Sequence, residues 1–278
     1  MSAAAPLAGR SLGQVLAQSP LDALETRILL GHALGLSRVQ LITRAEQLLG
    51  VDDAARVHAL FERRLAGEPI AYLTGEREFY GLGFRVTPAV LIPRPDTELL
   101  VELACARLPH GGSVLDMGTG SGAIAVASAH ARPDARVCAL DASAAALEVA
   151  RFNAGRHGMQ IDFVQSDWYA GLAPQRFSMI VANPPYIVAG DRHLAEGDLR
   201  FEPVDALTDH ADGLSALRAI VRGAADFLED GGWLLMEQGY DQAAAVRALL
   251  QGWDGVESWR DLAGRERVTG GKRPNRIS

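Results

Sequence analysis

The run Ile180-Val-Ala-Asn-Pro-Pro-Tyr186 sets an apolar, strand-forming stretch directly against a carboxamide, two prolines and an aromatic ring. Pro184 biases Asn183 toward an extended backbone, and neither Pro184 nor Pro185 carries an N–H. The local hydrogen-bonding equipment is therefore the Asn183 side chain and the backbone carbonyls. Such a rigid clamp suits a planar nitrogen whose lone pair is delocalised into a neighbouring π system. Two acceptors, the Asn183 side-chain oxygen and the Pro184 carbonyl, can hold its two hydrogens while Tyr186 packs on the planar group. The lone pair can then be aimed at an electrophilic carbon without a metal ion or a covalent enzyme nucleophile, and the sequence shows no convincing residue set for either.

A second set of residues lies upstream. Val114-Leu-Asp-Met-Gly-Thr-Gly-Ser-Gly122 reads as a strand running into a helix through glycines that let a ligand approach the backbone. Gly118, Gly120 and Gly122, with Thr119 and Ser121 between them, are spaced G-x-G-x-G. That differs from the G-x-G-x-x-G of dinucleotide sites and suits a cofactor without a pyrophosphate. Asp141, nineteen positions after Gly122, ends the next strand, where a carboxylate can accept from both hydroxyls of a ribose. The following strand ends in Ser166-Asp167-Trp168, an acceptor and an indole suited to an adenine ring. Each feature alone has a plain structural reading as a turn, a helix cap or a core residue. Their recurrence at successive carboxyl ends of strands, where open α/β sheets bind ligands, favours a nucleoside site.

The elements that must position these residues alternate. Strands are expected at Ser113–Gly118, Arg136–Asp141, Ile161–Asp167, Phe177–Asn183, Trp233–Glu237, Val256–Asp261 and Arg265–Gly270. Helices are expected at Ala123–Ala131, Ala144–His157, Leu214–Leu228 and Gln242–Gln251. The pattern predicts an α/β fold with a parallel sheet covered on both faces. The chain before it reads as helices with their own start signals: Ser19-Pro20-Leu21-Asp22 as an N-cap with Pro at the first helical position, Ser37 with Gln40 as a capping box, and Asp52 opening a helix that stops at Gly67. Between them, Glu76–Tyr80 and Phe84–Thr87 flank Gly81-Leu82-Gly83 as a hairpin, and Pro88, Pro93 and Pro95 forbid regular structure until a helix near Asp96. The expected organisation is a helical domain over 1–70, a hairpin linker over 71–95 and a catalytic α/β domain over 96–278.

Composition fits this plan. The 278 residues, 48% hydrophobic and 22% charged, can fill two cores. There is no run of about 18 apolar residues, and the alanine-rich start lacks the pattern of an export signal, so a cytoplasmic protein is expected. Cys105 and Cys138 have no metal-ligand spacing and read as core residues. The net charge of −7 falls entirely on residues 76–278, because residues 1–75 carry seven basic and seven acidic side chains. Long-range attraction to a phosphate backbone is not expected, nor is direct nucleic-acid binding.

Taken together, the chain resembles the bacterial protein glutamine methyltransferases of the HemK/PrmC family. Nearly its whole length takes part: Gly67-Glu-Pro-Ile70, Leu91-Ile-Pro-Arg-Pro-Asp-Thr-Glu98, Asp116-Met-Gly-Thr-Gly-Ser-Gly122, Gln165-Ser-Asp-Trp168, Asn183-Pro-Pro-Tyr186, Arg200-Phe-Glu-Pro203 and Glu266-Arg-Val-Thr269. Asn-Pro-Pro-Tyr alone would equally fit nucleic-acid adenine methyltransferases, and the additional segments decide between them. A non-enzymatic binding scaffold would need a broken cofactor pocket, whereas every motif position is intact. The resemblance implies a Rossmann-like class I methyltransferase sheet behind a helical N-terminal domain, with S-adenosyl-L-methionine as donor held at Gly118–Gly122, Asp141, Trp168 and Asn183. It implies as acceptor the Gly-Gly-Gln glutamine of class 1 peptide chain release factors, received by Asn183, Pro184, Pro185 and Tyr186, and a monomer is expected. Met117 stands where a leucine is usual, and the end, Gly270–Ser278, is atypical. Arg94, Asp96, Glu98 and Arg200–Pro203 can be read as caps and loop anchors or as neighbours of the acceptor groove.

Overall fold

The computed structural model describes residues 7–274. The alanine-rich residues up to position 6, and residues 275–278 of the atypical end, lie outside the described residues. The chain separates into two compact units, Met1–Gly75 and Glu76–Ser278. The hairpin thus belongs with the second unit and the short helix before it with the first.

The first unit is built of α1 (Leu12–Gln18), α2 (Ala23–Leu34), α3 (Arg38–Thr43), α4 (Val51–Leu65) and α5 (Ile70–Thr74). Two capping boxes start helices, Ser11 with Gln14 and Ser37 with Gln40. The cap of α2 is Asp22, which accepts from the Leu24 N–H at 2.7 Å, and not Ser19 as the sequence suggested. The Ser19 hydroxyl is already engaged by the Leu21 N–H and the Thr26 hydroxyl, so the turn before the helix uses it first. Helix α4 begins at Val51, one residue before the expected start, with Asp52 and Asp53 in its first turn and Arg63 and Arg64 in its last, each complementing the helix dipole. Leu12, Leu29, Leu30, Val57 and Phe61 close the core.

The second unit opens with β1 (Glu76–Phe79) and β2 (Leu82–Arg85), paired antiparallel. The turn between them is Tyr80-Gly81, both at positive φ (54° and 74°), and Leu82 and Gly83 belong to β2. The two-residue turn with left-handed geometry matches the strand twist, which shifts the loop by one residue from the expected Gly81-Leu82-Gly83. A 3-10 turn at Pro95–Thr97 leads into α6 (Glu98–Arg107). Asp96 caps neither; it faces Arg267 at 3.3 Å.

The rest is β3 (Ser113–Met117), α7 (Ala123–Ala131), β4 (Arg136–Asp141), α8 (Ala144–Arg156), β5 (Ile161–Gln165), β6 (Phe177–Ala182), α9 (Val204–Leu207), α10 (Ser215–Phe227), β7 (Leu228–Glu237), α11 (Ala243–Leu249), β8 (Asp254–Arg260) and β9 (Glu266–Lys272). The seven strands lie in the order β5-β4-β3-β6-β7-β9-β8. All neighbours are parallel except β9, which runs antiparallel to β7 and β8, so the sheet is not wholly parallel as the sequence suggested. The short β8–β9 connection forces this, since a parallel pair needs a long crossover. Side chains alternate between two cores. Val114, Met179, Val181 and Leu235 join one, while Leu115, Ile180, Ala182 and Leu234 join the other. Both faces are therefore covered, which is why β3 and β6 are buried at every position. Both cysteines are free, Cys138 buried and Cys105 half-buried. Among the described residues no helix is long and apolar enough to cross a membrane.

Strand order reverses beside β3, which has β4 on one side and β6 on the other. The carboxyl ends of these strands carry the glycine loop, Asp141 and Asn183, at the place where such sheets open a crevice.

Candidate active site

The glycine loop is held by its neighbours. The N–H groups of Gly118 and Thr119 both donate to the Leu140 carbonyl at 2.9 Å, and the Gly122 N–H to the Thr119 carbonyl at 2.8 Å. Gly118, Gly120 and Gly122 all have positive φ (71°, 54° and 82°), so side chains at these positions would strain the backbone. The three serve different ends. A Cβ on Gly118 or Gly120 would meet nothing within 4 Å, whereas one on Gly122 would come 3.1 Å from the Ala150 Cβ, where α7 packs on α8. Beneath the loop, Asp116 accepts from the Thr119 hydroxyl (2.6 Å) and the Ala125 N–H (3.1 Å). Burial pushes its carboxyl up to about 7 despite these two bonds, and its Oδ1 has no partner. Asn153, wholly buried, ties β2 to the loop: it exchanges two bonds with the Arg85 backbone and donates to the Ser121 carbonyl at 2.8 Å.

Two cavities meet here, sharing Gly118 and Asn183. The larger, about 160 Å³, is lined by Asp141, Asp167, Trp168 and Pro185 among others. Asp141 accepts from the Gly120 N–H and the Ser143 N–H, both at 2.9 Å, so its two oxygens are oriented by the backbone and retain lone pairs for a ligand. Trp168 has φ 47°, an uncommon conformation for a bulky residue. Ser166 secures it, donating to the Trp168 carbonyl at 2.6 Å and accepting from the Gly171 N–H at 2.8 Å.

The smaller cavity, about 70 Å³, is bounded by Arg94, Thr97, Thr119, Ser121 and Ile124. Asn183 Nδ2 donates to the Thr97 hydroxyl at 3.2 Å, the one hydrogen bond of that side chain among the described residues. The Tyr186 hydroxyl donates to Glu237 Oε1 at 3.3 Å, and the Tyr186 carbonyl accepts from Gln242 Nε2 at 3.0 Å. Burial and the adjacent Glu237 carboxylate push the Tyr186 phenol well above its ordinary range. Glu237 is itself 1% exposed, with Oε2 unpartnered. Burial pushes its carboxyl up to about 7 against the opposing pull of the Thr97 and Tyr186 hydroxyls and of Arg267.

That shift fixes the sign of a stability effect. Because the folded pKa lies above the unfolded one, folding binds a proton between about pH 4 and 7, and stability contributed by protonated Glu237 is lost as pH rises through that window. Glu237→Gln is therefore expected to raise the melting temperature relative to wild type more at pH 8 than at pH 5. Thermal unfolding at both pH values checks this; a difference of opposite sign would show that the carboxylate is stabilised when ionised.

Of the residues singled out from sequence, Gly118, Thr119, Gly120, Ser121, Asp141, Asp167, Trp168, Asn183 and Pro185 line one or both cavities. Gly122, Pro184 and Tyr186 line neither: Gly122 packs against α8, Pro184 is buried, and Tyr186 directs its phenol to Glu237. Arg94 joins the smaller cavity and pairs with Glu202, whose side chain is fully buried and also accepts from the Ile92 N–H at 2.9 Å. The Arg200–Pro203 stretch is thus anchored to the proline segment through Glu202. Glu98 accepts from the Tyr80 N–H at 2.8 Å and holds the hairpin. Sequence reasoning missed Thr97, Glu237 and Asn153. Glu237 had a usable signal, since like Asp141 it is an acid ending a buried strand.

Comparison with known proteins adds to the geometry. Residues 10–75 match the PrmC N-terminal domain and residues 95–197 the methyltransferase small domain. A release factor glutamine methyltransferase of Burkholderia pseudomallei is 60% identical over 94% of this chain and 95% of its own length. One of Neisseria gonorrhoeae is 52% identical over 92% of this chain and 96% of its own. A methyltransferase of Pyrococcus furiosus, 19% identical, superposes with a TM-score of 0.54 over 77% of this chain and 97% of its own, a likeness of fold.

Proposed function

The chain belongs to the release factor glutamine methyltransferase family, and on that premise we propose that it transfers a methyl group from S-adenosyl-L-methionine to the side-chain amide nitrogen (N5) of the Gly-Gly-Gln glutamine of class 1 peptide chain release factors. The observation that carries this reading is the Asn183 carboxamide where the two cavities meet, its nitrogen taken by Thr97 and its oxygen left to accept.

The residues present suit the donor. Gly118 and Gly120 leave open space where side chains would project, and Asp141 offers oriented carboxylate oxygens to a ribose. Trp168 and Asp167 line the same cavity and suit an adenine ring, by stacking and by hydrogen bonding. When bound, S-adenosyl-L-methionine supplies an activated methyl group, leaving S-adenosyl-L-homocysteine. The chain's own task is to orient a weak nucleophile. Asn183 Oδ1 and the Pro184 carbonyl each accept one amide hydrogen, fixing the acceptor plane, and Tyr186, held through its hydroxyl by Glu237 and through its carbonyl by Gln242, keeps the clamp in place. A substrate of the translation machinery supports a cytoplasmic site of action.

Labelled S-adenosyl-L-methionine, a release factor and the same factor with that glutamine replaced by asparagine provide the test. Label should enter the first protein only; equal labelling of both would remove the glutamine assignment.

The helical unit serves as the docking module for the protein substrate. Leu24, Val39 and Ile42 are 61%, 66% and 65% exposed, apolar side chains available to a protein partner. Removing residues 1–75 is expected to leave cofactor binding nearly intact and to lower transfer to a whole release factor much more than to a short Gly-Gly-Gln peptide. Steady-state rates on both substrates decide it: equal losses on a folded truncated enzyme would end the docking role.

A further inference from the structure

A carboxamide is nearly symmetrical in shape, so something must decide which end of Asn183 faces the acceptor. We propose that Thr97 is a positioning residue that holds the Asn183 carboxamide with its oxygen toward the substrate amide. The inference rests on the reading that Asn183 receives that amide.

Asn183 Nδ2 and the Thr97 hydroxyl lie 3.2 Å apart, and Thr97 is 4% exposed, which leaves water little access to the pair. A hydroxyl has one proton to give. Glu237, at the end of β7, accepts from the Tyr186 hydroxyl at 3.3 Å, and the Thr97 hydroxyl likewise favours its ionised form. The other charged groups acting on Glu237 are Arg267 on β9 and Asp96 in the turn before α6. Asn183 Nδ2 donates to the Thr97 hydroxyl, so it is a lone pair that Thr97 offers Asn183. Asn183 must then present its NH2 to Thr97, and Oδ1 is left facing the acceptor. In the reversed orientation the NH2 would meet the substrate's own N–H groups, two donors without an acceptor between them.

Thr97 sets the amide of the clamp, and Glu237 sets its ring through the Tyr186 hydroxyl. Thr97 lies 86 residues before Asn183, and Glu237 lies 51 residues after Tyr186. Neither position touches the reacting atoms in this account, so each acts only through the residue it holds.

The test is a double-mutant cycle on the full-length enzyme, reading single-turnover methyl transfer to a release factor with cofactor affinity measured alongside. Thr97→Val is expected to slow transfer roughly tenfold to a hundredfold, in the range of a misoriented acceptor, with cofactor affinity unchanged. Thr97→Ser keeps the hydroxyl and should stay within about threefold of wild type. In an Asn183→Ala background the Thr97→Val effect should shrink to within about twofold, because the group it orients is gone. Thr97→Ala is run through the same cycle and carries the test alone should Thr97→Val not fold. A loss that persists undiminished in the Asn183→Ala background, or one that Thr97→Ser shares, overturns the proposal. Failure of the wild-type enzyme to label the release factor would instead strike the functional reading itself.

Discussion

Asn183→Ala is expected to slow the chemical step about a hundredfold while leaving cofactor affinity within a few-fold, because it removes the acceptor that fixes the plane of the substrate amide. The structure sharpens this. Thr97 holds Nδ2 of Asn183 at 3.2 Å, so the oxygen is the end available for substrate, and losing the side chain also strands the Thr97 lone pairs. Asn183→Asp is the informative companion, since it keeps acceptor oxygens and exchanges the amide donor for negative charge. It should retain more activity than the alanine variant. It should also fall short of wild type, because the new carboxylate has no proton to give Thr97 and sits in the same cluster as Glu237. Single-turnover rates and calorimetric cofactor titration, on variants shown to be folded, measure both. Were the whole rate loss of Asn183→Ala explained by weaker cofactor binding, Asn183 would belong to the cofactor pocket alone.

Asp141→Ala should act at the other end of the site, weakening S-adenosyl-L-methionine binding with little change in the rate of the bound complex. Each hydrogen bond to a charged acceptor is worth about 1.5–3 kcal/mol, which corresponds to at least tenfold in dissociation constant. A second contribution comes from the loop itself. Asp141 accepts from the N–H groups of Gly120 and Ser143, and Gly120 sits at φ 54° in the segment that faces both cavities. Without the carboxylate, the Gly120 N–H loses its partner and the loop must be ordered by the ligand. Asp141→Asn keeps one oxygen acceptor and should bind with intermediate strength. Unchanged cofactor affinity in the alanine variant would rule out the ribose role.

What could be read from sequence was local. The strand ends expected at Gly118, Asp141 and Asn183 announce themselves by an apolar run meeting a glycine, an acid or Asn-Pro-Pro, and β3, β4 and β6 end at Met117, Asp141 and Ala182, within one residue. Strand β7 starts at Leu228, earlier than the apolar run at Trp233, because Gly231 and Gly232 masked the pairing of Leu228 with Phe177. The start of α2 went to Asp22 because the hydroxyl of Ser19 had a competing turn to serve. The residues that were missed depend on partners far away in the chain. Asn153 meets the Arg85 backbone across 68 positions and Glu237 meets the Tyr186 hydroxyl across 51. Contacts of that range are set by sheet order and helix packing, and no local spacing encodes them. The same holds for Thr97: its motif was visible in the sequence, and its role became visible only when the fold placed it beside Asn183.

The central claim is that the clamp delivers a methyl group to a glutamine side-chain amide. Peptide mass spectrometry on a release factor incubated with the enzyme and isotopically labelled S-adenosyl-L-methionine tests it most directly. The account predicts a single labelled methyl group on the side-chain nitrogen of the glutamine in Gly-Gly-Gln, absent when Asn183→Ala enzyme is used for the same short incubation. Label found instead on an arginine of the factor, or on adenine in added RNA or DNA, would contradict it.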